Sequence, residues 1–467
     1  MLTTLIYLLL AAFAGLGLLL LMIRWEAEGR SGRSVALVLG VALLEALVQR
    51  ASTNVPIGIW RIPLGPLDVR PIDLLLPMAL TARLLVRTQI AHISRFALTW
   101  LLFYVWYTVG AYWGYVQNND TARLVNQFRG ISLIIGVMIL VGGLKPSTAA
   151  LEKANRHIGK VALAAALFVY GFRFTVGHIA FDVPLIGAPQ LGIISAEASL
   201  ILACLGIYVL MHQLMSSERE LMSATGGVLL VLNPLLQTQA ASIVAVGMML
   251  GALAVVSLTN SWRSRIKVTG TELTLFAVAA VGIGLMGQVV VGEELELVDS
   301  FEQALFSDAQ GRTTEIRRIL WADAVGLVQE SPLIGQGVGH LLDVPARWPD
   351  EAGQAASHNV TLDIALRSGL PGLILFVGAL AVTFITCWKR WLELDGVHAA
   401  ALLSAFLALV AILTKGQVES ALDQFRQATA FGVAVGIVLV YARHDPDDGA
   451  VDLDEDVESL PARATGR

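Results

Sequence analysis

The residues whose types could do chemistry lie close together, in the stretch 311–378. It is the only long polar interval in a mostly apolar chain, and it holds Arg312, Arg317, Arg318 and, further on, His358. A histidine has an ordinary pKa of about 6.5 and can take up a proton near neutrality. Guanidinium groups bind phosphate or pyrophosphate through paired, charge-assisted hydrogen bonds. Each residue also has a plainer reading, the histidine as a structural group at an interface and the arginines as contacts to lipid headgroups. Between them runs Ser331-Pro332-Leu333-Ile334-Gly335-Gln336-Gly337-Val338-Gly339. Its glycines follow a proline loop rather than a strand, so a turn is expected there, not a nucleotide-phosphate cradle. The chain also has no Gly-Lys-Ser/Thr phosphate loop and no dinucleotide fingerprint.

The elements that must position these groups are apolar. Of 467 residues, 56% are hydrophobic and 15% charged, more apolar surface than a soluble chain of this length can hide. The formal net charge of −5 arises in the last 25 residues, where eight acidic side chains face three basic ones. The body is therefore close to neutral, which argues against a nucleic-acid partner. At about 20 residues per span, apolar runs predict roughly thirteen membrane helices, a count good to about one. They lie near 2–23, 34–50, 71–87, 94–116, 130–144, 159–176, 191–211, 221–236, 241–259, 271–291, 359–386, 397–414 and 424–442. The fold expected is an all-α polytopic membrane protein of about 12–13 transmembrane helices. One transmembrane domain covers 1–442, with a large loop region at about 292–358, and 443–467 reads as a disordered acidic tail.

Lys and Arg fall mainly in alternate linkers, at Arg24 to Arg33, Arg87 and Arg95, Lys145 to Lys160, Arg263 to Lys267, and Lys389 with Arg390. By the positive-inside rule these linkers and the carboxyl terminus are cytoplasmic, and 292–357 is extracytoplasmic. Residues 312–330 place Ile316, Ile319, Leu320, Ala324 and Leu327 on one stripe, as in an amphipathic helix at the membrane surface. Ser357 is a candidate cap for the helix after His358. Aromatics from Trp100 to Tyr115 read as an interface belt and packing, with sugar stacking as the minor reading for Tyr112 to Tyr115. Cys204 and Cys387 read as small apolar residues. Glu293 to Glu302 read as a solvated acidic stretch, with a divalent-ion site as the minor reading. Glu45, Asp73 and Glu197 are costly in lipid and need polar partners.

Four motifs in order, Arg317-(x3)-Trp321, Pro332 to Gly339, Ser357-His358-Asn359-(x2)-Leu362 and Gly369-Leu370-Pro371-Gly372, resemble the O-antigen ligase and Wzy-type polymerase superfamily over about 65 residues. The resemblance implies a GT-C-like multispan fold in a bacterial inner membrane. It also implies transfer of a glycan from an undecaprenyl-diphosphate-linked donor to a hydroxyl of a lipid or saccharide acceptor on the extracytoplasmic face. Carried over by position, His358 is the base, Arg317 a ligand of the donor diphosphate, and Arg318 and Arg312 its neighbours. Asn359, Trp321, Gly337 and Gly339 support them. No metal, cofactor or nucleotide sugar is implied. Face-on attack would invert the anomeric centre.

In one place the sequence departs from the family pattern. Many members carry Ser-Arg at an outer turn between two mid-chain helices. The corresponding turn here, Leu236 to Ser242, has no arginine. Replacement cations on the same face are Arg426, taken first, and Lys415, Arg123, Arg129 and Arg61. The competing reading is a transporter or flippase of a lipid-linked saccharide, which would place its charges in broken helices at the bilayer midplane. A non-catalytic assembly factor is a third.

Overall fold

A computed structural model describes residues 2–47, 62–64, 67–86, 94–179, 196–216, 220–236, 240–258, 308–344 and 353–442. The expected span at 271–291, the acidic stretch 293–302 and the tail lie outside the described residues, as do Arg61 and Arg87.

The fold is all-α and polytopic. In chain order the helices are α1 (Leu2–Ala27), α2 (Ser31–Leu47), α3 (Pro71–Val86), α4 (Arg95–Val116), α5 (Thr121–Gly142), α6 (Thr148–Ile179), α7 (Ala196–Met215), α8 (Leu221–Leu236), α9 (Ala240–Leu258), α10 (Asp308–Glu330), α11 (Val360–Glu393), α12 (Gly396–Gly416) and α13 (Phe425–Ala442). Two short antiparallel hairpins accompany them, β1 (Ile62–Leu64) with β2 (Leu67–Val69) and β3 (Leu342–Val344) with β4 (Gly353–Ala355). Among the described residues, five helices are long and apolar enough to cross a membrane: α5, α7, α11, α12 and α13. The other expected spans over described residues are helices too, several offset from the apolar runs because their polar ends continue the helix.

The core is a band of buried apolar side chains shared by most of the helices. At its centre Trp100 of α4 is fully buried and meets Phe103, Phe376 and Phe431 edge-on, at centroid separations of 6.2, 6.2 and 5.8 Å. Its indole N–H donates to the Thr383 hydroxyl at 3.0 Å, so the polar edge is satisfied inside the bundle. Much of the α4 aromatic run is thus packing, while Tyr112 and Tyr115 at its far end are exposed. Asp73 has the polar partner its setting requires, Arg129 at 3.3 Å. Both cysteines are free and buried.

Two backbone irregularities shape the region around His358. α11 is broken at Gly369, whose φ of 69° and ψ of −177° are open only to glycine. With Pro371 following, carbonyls near the break lose their helical donors. They find others: the Gln336 N–H reaches the Leu366 carbonyl at 2.7 Å, and the Trp106 indole N–H reaches that of Ser368 at 2.8 Å. The second irregularity is the Pro332–Gly339 loop itself. Gly335, Gly337 and Gly339 have φ of 74°, 84° and 91°. The loop backbone presses on α4 at Gly114, where a Cβ on either Gly337 or Gly114 would collide with the other chain segment. Its amides are spent on the protein, Val338 N–H on the Gly110 carbonyl at 3.1 Å and Gly339 N–H on Gln127 Oε1 at 2.7 Å. The glycines serve a turn wedged between α4 and α11, as their setting after a proline predicts.

Gly337→Ala combines a strained φ with a backbone collision, a cost of roughly 2–4 kcal/mol. It is expected to lower the thermal unfolding midpoint of the detergent-purified protein by several degrees. Gly378→Ala, which meets open space in α11, should leave that midpoint in place.

Candidate active site

Three elements converge on His358. The first, α10, is held by Ile316, Leu320, Ala324 and Val328, a buried row at four-residue spacing that packs on Leu342, Ala365 and Leu366. This separate small core docks α10 against the first half of α11. Arg317 lies one step round from the buried row and is half-buried. Its Nε is shielded from solvent and has no hydrogen-bond partner among the described residues. Burial lowers the Arg317 pKa, and the negative charge of Glu419 acts against that shift. Arg318 is exposed. Arg312 lies on α10, but its side chain is outside the described residues. Trp321 donates its indole N–H to the Ser357 carbonyl at 2.8 Å, which ties α10 to the residue just before the histidine.

The second element is the turn that opens α11. His358 sits in the left-handed region at φ 55°, a conformation that costs a residue with a Cβ roughly 1–2 kcal/mol. The residues on either side hold it there. Asn359, rather than the expected Ser357, caps α11: its Oδ1 accepts the Leu362 N–H at 3.1 Å and its Nδ2 donates to the Gln417 carbonyl at 3.1 Å. Ser357 is fully buried and points the other way, donating its hydroxyl to Asp363 Oδ1 at 2.7 Å. The imidazole is half-buried. Burial pushes its pKa below the ordinary histidine value and Arg317 adds to the effect, while Asp363, Glu419 and Asp423 pull the other way.

The third element is the last turn of α12, which carries Lys415, with the connection to α13, which carries Glu419 and Asp423. Arg367 of α11 makes a two-pronged pair with Asp423, at 2.6 and 2.7 Å, and stands 3.3 Å from Asp363. The Arg367 side chain is 4% exposed. None of Asp363, Arg367, Glu419 and Asp423 is among the site residues read from the sequence. The signal available was an Asp and an Arg four residues apart in an apolar helix, a pair costly to place in lipid unless matched.

Comparison with known proteins bears on the same stretch. Residues 225–377 match the family described as O-antigen ligase. The resemblance to the O-antigen ligase superfamily holds. A curated O-antigen ligase of Pseudomonas aeruginosa is 28% identical over 134 residues, covering 26% of this chain and 32% of the relative. The match thus spans about a third of the length of that curated relative.

The matched segment includes Arg317, the glycine loop and His358, but Lys415, Glu419, Asp423 and Arg426 lie beyond it. It also contains the turn without an arginine. There Ser242, fully buried at the start of α9, receives a hydrogen bond from Lys415 Nζ at 3.0 Å. Lys415 is itself 0% exposed and stands 3.4 Å from Glu419. A cation from α12 therefore meets the first turn of α9. Arg426 is 2% exposed, with its guanidinium carbon 5.1 Å from the Phe425 ring centroid. Arg129 pairs with Asp73, and Arg123 is exposed.

Removing one partner of a buried ion pair leaves uncompensated charge, a cost of about 3–5 kcal/mol. Arg367→Leu strands Asp363 and Asp423 together and is expected to depress the unfolding midpoint sharply. Arg24→Leu, which breaks an exposed pair with Glu28, should leave it unchanged. Equal midpoints for the two variants would show that the buried network carries no stability.

Proposed function

We propose that this chain is a membrane glycosyltransferase of the O-antigen ligase or polymerase type, in which His358 is the base and Arg317 holds the donor diphosphate. The observation that carries the reading is a half-buried histidine facing a guanidinium from a different helix, with the Arg317 Nε left unpartnered among the described residues. The donor is an undecaprenyl-diphosphate-linked glycan and the acceptor a hydroxyl of a lipid or saccharide. The setting is the bacterial inner membrane, with the site on the extracytoplasmic face and the carboxyl terminus in the cytoplasm, as the distribution of Lys and Arg supports.

The acceptor hydroxyl loses its proton to His358 as its oxygen bonds to the anomeric carbon. The bond from that carbon to the diphosphate oxygen breaks, and the electron pair leaves with the diphosphate. The leaving group departs as an anion, so positive charge serves it better than an acid. Arg317 supplies that charge, with Arg318 and Arg312 its neighbours in sequence. Lys415 places a further cation behind the turn that lacks an arginine, and Arg426 lies on the same face. Attack from the side opposite the leaving group inverts the anomeric centre. No metal takes part in these steps.

The reaction is tested by transfer from a purified lipid-diphosphate-linked glycan in detergent or proteoliposomes. His358→Ala and Arg317→Ala are expected to lose at least about a hundredfold in turnover while remaining folded, and a chelator to change nothing. Product length separates single-block ligation from a polymer ladder. Full activity in His358→Ala, or movement of the donor across the bilayer without transfer, defeats the reading.

The depressed pKa sets the pH profile as well. The base works when neutral, so the acid limb of kcat/KM is expected below the ordinary histidine value of about 6.5. Arg317→Gln removes a neighbouring positive charge and should move the limb upward. A limb that stays in place means a different group titrates.

A further inference from the structure

His358 differs from its neighbours in how it is held. Among the described residues no hydrogen bond or ion pair fixes the imidazole, yet its backbone lies in the left-handed region. The restraint comes from the flanks and leads to one carboxylate. Asp363 Oδ1 accepts both the Ser357 amide N–H, at 3.1 Å, and the Ser357 hydroxyl, at 2.7 Å. The Ser357 hydroxyl oxygen in turn accepts the Asn359 N–H at 3.2 Å, so the backbone on both sides of His358 is tied to the same side chain. The other Asp363 oxygen accepts the Ser420 hydroxyl at 3.0 Å and lies 3.3 Å from Arg367. Arg367 then grips Asp423. A single carboxylate in the first turn of α11 thereby joins the histidine turn to the segment bearing Glu419, whose charge acts on the same imidazole.

We propose that Asp363 is the positioning residue of this site: acting through Ser357 it holds His358 in its left-handed pose, and acting through Ser420 and Arg367 it holds the Glu419 segment against the same imidazole. Asp363 does not touch the reacting atoms. It converts a turn that would sample many conformations into one that presents the ring at a fixed place. A base displaced by about 1 Å can lose on the order of a hundredfold in rate while the substrate still binds. The proposal rests on the reading of His358 as the base.

The test measures kcat, donor KM and the pH profile of kcat for the full chain in proteoliposomes, using a lipid-diphosphate-linked glycan. Variants are Ser357→Ala, Asp363→Asn, the two combined, and His358→Ala. Each single variant is expected to lose about ten- to a hundredfold in kcat with donor KM within about twofold. The double variant should fall less than the product of the two losses, because both changes cut one linkage. The charges facing the imidazole are Arg317 from α10, Asp363 from α11, and Glu419 and Asp423 from the α12–α13 connection. Asp363→Asn removes one of the negative charges, so its acid limb should move to lower pH. Ser357→Ala leaves the charges in place, and its limb should stay.

Single variants that turn over at wild-type rate while His358→Ala is dead would overturn the role of Asp363 and leave the base assignment standing. An active His358→Ala removes the base assignment itself. A raised KM with unchanged kcat makes Asp363 a binding residue and also overturns the proposal. Should Asp363→Asn fail to fold, Ser357→Ala decides alone, and a wild-type kcat there is sufficient to reject it.

Discussion

One buried guanidinium, that of Arg367, stands between two carboxylates near the point where α11 breaks, and the arrangement around His358 depends on that charge being matched. A charge taken out of water costs several kcal/mol unless it is paired with good geometry and its remaining lone pairs are satisfied. Asp423 supplies a two-pronged partner and Asp363 a second carboxylate, itself hydrogen-bonded by Ser357 and Ser420. Satisfying Arg367 therefore fixes the relative position of two segments far apart in sequence. The turn carrying His358 and the connection carrying Glu419 are brought together because both contribute to one electrostatic problem.

The same logic governs the backbone. The break at Gly369 frees carbonyls that inside a helix would be paired, and in an apolar setting they must find donors. The glycine loop and Trp106 provide them. The loop in turn needs left-handed residues and close approach to α4, which only glycine allows. α4, the loop and the two halves of α11 form a set in which each irregularity is stabilised by the next. α10 joins through its own apolar row and through Trp321, and so brings Arg317 beside the histidine.

Charge is distributed around the imidazole on both sides. Arg317 favours its neutral form, while Asp363, Glu419 and Asp423 favour the protonated form. In the proposed role of His358 as base, this balance serves both the uptake and the later release of a proton. Lys415, from a helix that follows the matched segment, brings a buried cation to Ser242 at the start of α9.

The sequence by itself determined the membrane class, most helix positions and the nature of the glycine loop, and it singled out His358 and Arg317 as candidates. These follow from local facts: apolar runs of spanning length, glycine's access to positive φ, and the small set of side chains able to move a proton or hold a phosphate. The apolar row Ile316, Leu320 and Ala324 was equally legible, because helical periodicity reports a buried face directly. Only the tertiary structure decided which charges meet. Arg367 and Asp423 are 56 residues apart, and Lys415 and Ser242 are 173 apart. No local pattern relates such pairs. It also moved the helix cap from Ser357 to Asn359, because the serine hydroxyl is drawn to a buried carboxylate that the chain order alone does not place beside it. Local propensity fixes what each segment can be, while the demand that buried polar groups find partners fixes how the segments meet.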